Sequence, residues 1–382
     1  MIVIIGSGLA GYTLAKELRA RDKTVKITLI SRDDGVFYSK PLLSRALTQD
    51  KSADALAMHS SEKMAKDLDI QVITHTSVDS IDRVSKTVHY SNGACVYEYL
   101  VLACGATVRP PNWEGAHPDH FYAVNDLVAY RLFRQRLEQM DCQHLAIVGS
   151  GLVGCEFAND LLNGGYHVSM IAKDQLPLSS MVPDAVGSVL LEALREKGLN
   201  WYGSSVVDQQ VQTAEGYELA LSSGGQCAVH VVLSAIGLQP ELMLAKQAGL
   251  LVSHAITVDR YLRTSDPHIY ALGDCAAVDG LHLQYVAPLM ACARALAETL
   301  SGTLTQVTYP VMPVVVKTPV FPIVCVPVPR DIDGHWQVEG TEKNLKAQFF
   351  DCNGQLRGFV LTGSCIAEKQ TLALSVPPLL TA

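Results

Sequence analysis

Two six-residue runs carry the strongest chemical signal in this chain: Gly6-Ser7-Gly8-Leu9-Ala10-Gly11 and Gly149-Ser150-Gly151-Leu152-Val153-Gly154. In the G-x-G-x-x-G spacing the first glycine permits a tight turn, and the second lets the backbone approach a pyrophosphate. The third allows helix and strand to pack closely, while the helix N-terminus offers amides and a positive dipole end. The spacing is informative only between a strand and a helix. Here Ile2-Val3-Ile4-Ile5 leads into the first turn, a helical pattern spans 12–18 and a second strand spans 25–30. Residues 145–148 lead into the second turn, with a helix from 155 to about 163 and a strand over 167–171. Two such turns imply two dinucleotides in one chain, which suggests a flavin beside a nicotinamide, a pairing that moves hydride.

Composition excludes other classes. A length of 382 residues favours two or three domains, and 48% hydrophobic against 18% charged residues supplies ample core. Thirty basic against 38 acidic residues give a net charge of −8 without a basic run, which argues against nucleic-acid binding. No apolar stretch approaches the roughly 18–20 residues of a membrane helix, and the first residues lack the basic region of a secretory signal. Cysteines 95, 104, 142, 155, 227, 275, 292, 325, 352 and 365 contain no C-x-x-C pair. They read as reduced, mostly packed thiols, so a cytoplasmic protein is expected. The twelve histidines lack metal-binding spacing, and no metal is expected.

Other residues are read singly. Lys40 precedes Pro41, which biases it toward an extended loop. Glu156 stands in the first turn of its helix, where a carboxylate suits the dipole. Lys317 follows the apolar run 314–316, so it either snorkels to solvent or faces a site. Dinucleotide folds usually end the second strand with an acid that holds a ribose; here Ser31-Arg32 and Ala172-Lys173 stand there. Asp33, Asp34 or backbone could substitute in the first unit, while Lys173 weakens any discrimination against a 2′-phosphate. From about 310 the chain changes character: prolines punctuate strand-like runs, and Asp351-Cys352-Asn353-Gly354 reads as a hairpin turn between 346–350 and 356–361. A helical stretch over 367–374 follows.

Beyond these readings, several segments resemble a known family. Thr264-Ser265-Asp266-Pro267-His268-Ile269-Tyr270-Ala271-Leu272-Gly273-Asp274 is similar to the ribityl-binding motif of two-dinucleotide flavoprotein reductases. Residues 99–106 resemble the strand that closes the flavin half, with Cys104 where Thr is usual, before Gly105. Residues 231–240, with Gly237, resemble the exit strand of the pyridine-nucleotide half. Phe37-Tyr38-Ser39-Lys40-Pro41-Leu42-Leu43-Ser44-Arg45 is similar to the Arg-Pro-Pro-Leu-Ser-Lys stretch of ferredoxin-type reductases, with the two basic residues exchanged. Together with 53–58, 155–166, 289–296 and 316–319, it resembles the rubredoxin–NAD(+) reductases.

That resemblance implies an α/β fold of two Rossmann-like, glutathione-reductase-like domains plus a small C-terminal α+β domain lying over the flavin. It places FAD on 1–110 and 242–308, NAD on 111–241, and the last domain at 309–382. It implies NADH as hydride donor, FAD as carrier, and rubredoxin, on a separate chain, as one-electron acceptor feeding an alkane hydroxylase, an oxygen- or nitric-oxide-reducing flavodiiron protein or a similar terminal acceptor. A monomer is favoured. Lys40 and Glu156 would pair at the flavin–nicotinamide junction, Asp274 would hold the ribityl chain, and the Val286 amide would meet the pyrimidine end. Ser31, Arg32, Asp33, Val78, Cys104, Gly105 and Gly273 would line the flavin, with Lys317 at its edge; Lys173 and Gly237 would line the nicotinamide nucleotide. With no cysteine before Cys95 and no dithiol motif, electrons would leave the flavin directly. The alternatives are a ferredoxin reductase of a dioxygenase or cytochrome P450 chain, and a non-catalytic flavin- and NAD-binding redox sensor.

Overall fold

Strand Ile2–Ile5 and strand Ile27–Ile30 are buried at every position, as β-branched and leucine-rich runs must be when helices cover both faces of a parallel sheet. They sit in a five-stranded sheet ordered Ile269–Ala271, Tyr99–Leu102, Ile2–Ile5, Ile27–Ile30, Gln71–Ile73, with every pairing parallel. The structure is a computed structural model that describes residues 1–139, 143–329 and 331–381. A second parallel sheet is ordered Asn200–Tyr202, His167–Ile171, His144–Val148, Val231–Ser234.

The two sheets share a plan. Each inserts a three-stranded antiparallel meander before its closing strand: Val78–Asp82 to Gly93–Val96 in the first, Val207–Gln212 to Gln226–Val229 in the second. The chain crosses to the second sheet through Ala106–Val108 and returns through Leu238–Pro240, and these two segments pair antiparallel. The C-terminal region is a five-stranded antiparallel sheet ordered Val314–Val316, Ile323–Val326, Leu356–Thr362, Asn344–Asp351, Gly334–Thr341, capped by the helix Lys369–Ser375. One core surrounds the first sheet. A second joins the second sheet to Leu43, Ala46 and Leu56 and to Val316, Ile323 and Val360 of the C-terminal sheet. No helix of the described residues is long and apolar enough to cross a membrane.

Boundaries differ from sequence expectation at two kinds of place. Both helices start within their glycine turns, at Leu9 and Leu152, because the turn hands its backbone directly to the first helical residues. Lys40 is not in an extended loop but opens a 3-10 turn, Lys40–Arg45. Pro41 falls in the first turn, where a helical amide has no partner to lose and the fixed φ of proline suits entry.

Candidate functional site

The glycine turns are built alike. Gly6 and Gly149 hold φ of 116° and 110°, conformations that L side chains avoid. A Cβ on Gly11 would strike the Gly6 carbonyl oxygen, and one on Gly154 would strike that of Gly149. A Cβ on Gly8 or Gly151 would meet nothing within 4 Å. Each turn therefore presents one open glycine ahead of a helix, space that accepts a pyrophosphate while the flanking glycines carry the packing. Leu9, Ala10, Leu152 and Val153 occupy the first helical turns, beside the free amides.

The acid missing from the end of strand Ile27–Ile30 is recovered two residues later. Ser31 Oγ and Ser7 Oγ approach to 2.5 Å; the Asp33 carboxylate accepts from both hydroxyls and from the Gly35 amide at 3.0 Å. Arg32 is exposed, with its charge near enough to act on Lys40 and Cys104. In the second unit Ala172 is buried and Lys173 exposed, so a cation takes the rim position. Val78 opens the first meander, half-buried.

A polar recess gathers around Lys40 and Asp274. Burial pushes the Asp274 carboxyl up, with Lys40 opposing, and pushes the Lys40 ammonium down, with Asp274 opposing. Each group thus acts electrostatically on the other, but no ion pair joins them. Lys40 Nζ donates instead to Asn125 Oδ1 at 3.2 Å, and Asn125 Nδ2 donates to the Ala106 carbonyl at 2.7 Å. His282 Nε2 sits 2.8 Å from the Asp274 carbonyl. The helix Val286–Leu300 points its N-terminus here, with Val286 exposed at its first position. Just ahead of it the Gln284 amide nitrogen is buried without a partner. Glycines 105 and 237 take positive φ just ahead of the two crossing segments, and Gly273 does so just past the strand Ile269–Ala271. The chemistry gathered here suits a polar, hydroxyl-bearing group: an orphaned donor, helix amides, a carboxylate for hydroxyls and a cation.

One pairing is corrected. Glu156 does not bond Lys40. Its Oε2 lies 2.6 Å from Lys317 Nζ and accepts from Ser44 Oγ at 2.6 Å, while Oε1 accepts the Lys317 amide at 3.0 Å. Lys317 thus neither snorkels nor faces the recess alone. Asn125 and Gln284 escaped sequence reasoning because neither residue belongs to a motif quoted above. Ser44 was in view, but its hydroxyl finds its role only through a carboxylate 112 positions away.

The chain matches the family described as pyridine nucleotide-disulphide oxidoreductase over residues 1–297, and the rubredoxin binding C-terminal domain over 306–375. It is 42% identical over 381 residues to a rubredoxin-NAD(+) reductase of Alcanivorax borkumensis, covering 99% of each chain. It is 41% identical to the rubredoxin-NAD(+) reductase of Acinetobacter baylyi, covering 100% of this chain and 99% of that one. Among solved structures, the ferredoxin reductase for the CYP199A2 system of Rhodopseudomonas palustris superposes with a TM-score of 0.88 at 25% identity, covering 98% of this chain and 95% of that one.

Proposed function

This chain belongs to the pyridine nucleotide-disulphide oxidoreductase family, among its rubredoxin–NAD(+) reductases, and from that premise we propose that it passes electrons from NADH through FAD to rubredoxin. The observation that carries the reading is the pair of open glycine cradles together with one polar recess, in a chain whose residues 306–375 match a rubredoxin-binding domain. FAD, when bound, would supply the couple that takes electrons in pairs and releases them singly.

The chain's own residues orient and bias that chemistry. Asp274 accepts hydrogen bonds from the ribityl hydroxyls, and Asp33, held by Ser7 and Ser31, takes the adenosine ribose. The Val286 and neighbouring amides, with Gln284, meet the pyrimidine edge. Lys40 places positive charge where reduction adds negative charge, which favours the reduced form. The second cradle, Gly149 to Gly154, holds the nicotinamide nucleotide, with Lys173 at its ribose rim and Gly237 behind it. NADH is the favoured donor, although Lys173 narrows the margin over NADPH. In domain terms, 1–110 with 242–308 carries FAD, 111–241 carries NAD, and 309–382 meets the acceptor. The reduced thiol inventory supports a cytoplasmic setting.

The test is spectroscopic and kinetic. The purified protein should be yellow, be bleached by NADH under anaerobic conditions, and reduce cytochrome c through added rubredoxin. Faster turnover with a [2Fe–2S] ferredoxin than with rubredoxin would reassign the acceptor. Bleaching without turnover on either carrier would favour a sensor.

A further inference from the structure

The Glu156 site is more elaborate than hydride transfer between two bound nucleotides requires. Glu156 is 3% exposed and Lys317 19%, so both charges are largely out of water. The three ammonium protons of Lys317 meet three acceptors: Glu156 Oε2 at 2.6 Å, the Pro41 carbonyl at 2.7 Å and Ser44 Oγ at 3.1 Å. The Glu156 oxygens are saturated in turn by Ser44 Oγ and the Lys317 amide. A fully satisfied buried pair is tolerated; breaking one side leaves an uncompensated charge.

Three parts of the chain meet here. Glu156 rides on the helix that follows the second glycine turn, Pro41 and Ser44 lie on the turn that begins at Lys40, and Lys317 enters from the C-terminal domain. Neither basic residue of that turn holds Glu156: Lys40 ends on the neutral Asn125 amide, and Arg45 Nε is buried without a partner.

We propose that Lys317 is a positioning residue for hydride entry: it neutralises Glu156 and pins the Pro41–Ser44 turn, so that Lys40 stays directed at the flavin. The proposal rests on the flavin reading above. Without Lys317, Glu156 becomes a buried anion beside a turn that carries a second lysine. Lys40 is then drawn from the recess toward the carboxylate, and reduced flavin loses its neighbouring cation.

Titration of the FAD-loaded protein against a reference dye tests this without turnover. K317M should shift the flavin oxidation equilibrium at least tenfold toward the oxidised form, about 30 mV for a two-electron couple. The double variant E156Q/K317M, which removes both charges, should return within about threefold of the unaltered protein. K317M within threefold of the unaltered protein, or a double variant displaced as far as K317M, overturns the proposal. If K317M loses FAD while the double variant keeps it, an uncompensated Glu156 is the cause and the proposal stands; loss of FAD by both overturns it. A colourless unaltered protein would instead sink the flavin reading itself.

Discussion

The two glycine turns differ at a single residue, Ala10 against Val153, and the helices they launch share a buried apolar face, yet the second buries further polar positions. Leu9–Arg21 buries Ala10, Tyr12, Leu14, Ala15 and Leu18 and packs against the helix Val286–Leu300 inside the core of its own sheet. Leu152–Asn163 buries Glu156, Asn159 and Asp160. Buried polar groups require partners, and here the partners come from elsewhere in the chain. Asn159 Oδ1 accepts the Val320 amide at 3.1 Å, and the Asp160 carboxylate accepts the Leu47 and Thr48 amides at 3.1 and 2.8 Å. One copy of the motif closes a self-contained core. The other ties the turn that begins at Lys40 and the C-terminal sheet to the second parallel sheet, which explains why those three parts share a hydrophobic core.

The most severe way to break this comparison is at the third glycine of each turn. Gly11→Ala and Gly154→Ala both force a methyl onto a backbone carbonyl and should each destabilise by about 3 kcal/mol or more. Because the cores are separate, G11A protein should be colourless, whereas G154A protein should remain yellow and resist bleaching by NADH. Absorbance before and after NADH addition distinguishes them; loss of colour in both would deny the independence of the halves. Next in size is Asp160→Ala, which leaves two amides without an acceptor and should cost about 3 kcal/mol in urea unfolding. Thr13→Ala, on the corresponding buried face of the first helix, gives up only a 3.7 Å contact to the Met290 sulfur and should cost about 1 kcal/mol. Equal costs would erase the distinction between the two faces.

Asp274→Asn separates cofactor binding from folding. Burial disfavours the ionised carboxyl, so its folded pKa lies above the unfolded value of about 3.9. The resulting penalty is fully present above the folded pKa and disappears as pH falls toward the unfolded one. The D274N apoprotein should therefore melt higher than the parent at neutral pH, with the gap closing on acidification. Its FAD affinity should fall about tenfold to a hundredfold through loss of charged hydrogen bonds. A variant that melted lower at neutral pH would place Asp274 in a structural role.

The glycine turns and their strands were legible because their geometry is set locally, by sterics within a few residues. The strand His167–Ile171 and the hairpin strands Asn344–Asp351 and Leu356–Thr362 stand close to where alternation and turn residues put them. The partner of Glu156 was not legible. Lys40 and Lys317 are both lysines beside a proline or an apolar run, and the choice between them depends on how a segment 161 residues away docks. Asn125 and Gln284 were invisible for a related reason: a polar side chain in a loop acquires meaning only from the recess it faces. The resemblance paired Glu156 with Lys40, whereas the structure pairs it with Lys317.

The smallest expected effect concerns sulfur. The strands that close the two sheets run out through Ala103-Cys104-Gly105 and Ala235-Ile236-Gly237, and the carbonyls of Ala103 and Ala235 both sit against the first glycine of their turns. Cys104 therefore matches Ile236, a position where the second half needs only apolar volume. Burial, with Cys275 nearby, holds the Cys104 thiol well above its ordinary pKa, and burial pushes Cys275 up to about 11 and Cys155 up to about 12. Such thiols are protonated at neutral pH and are poor nucleophiles. Cys104→Val should leave bleaching by NADH and rubredoxin reduction within about twofold of the parent, since a volume-conserving swap costs little. Alkylation of the exposed Cys352 should be equally silent. If C104V bound FAD but no longer delivered electrons to rubredoxin, a thiol would lie on the path, and the first half would use that position for chemistry where the second uses it for packing.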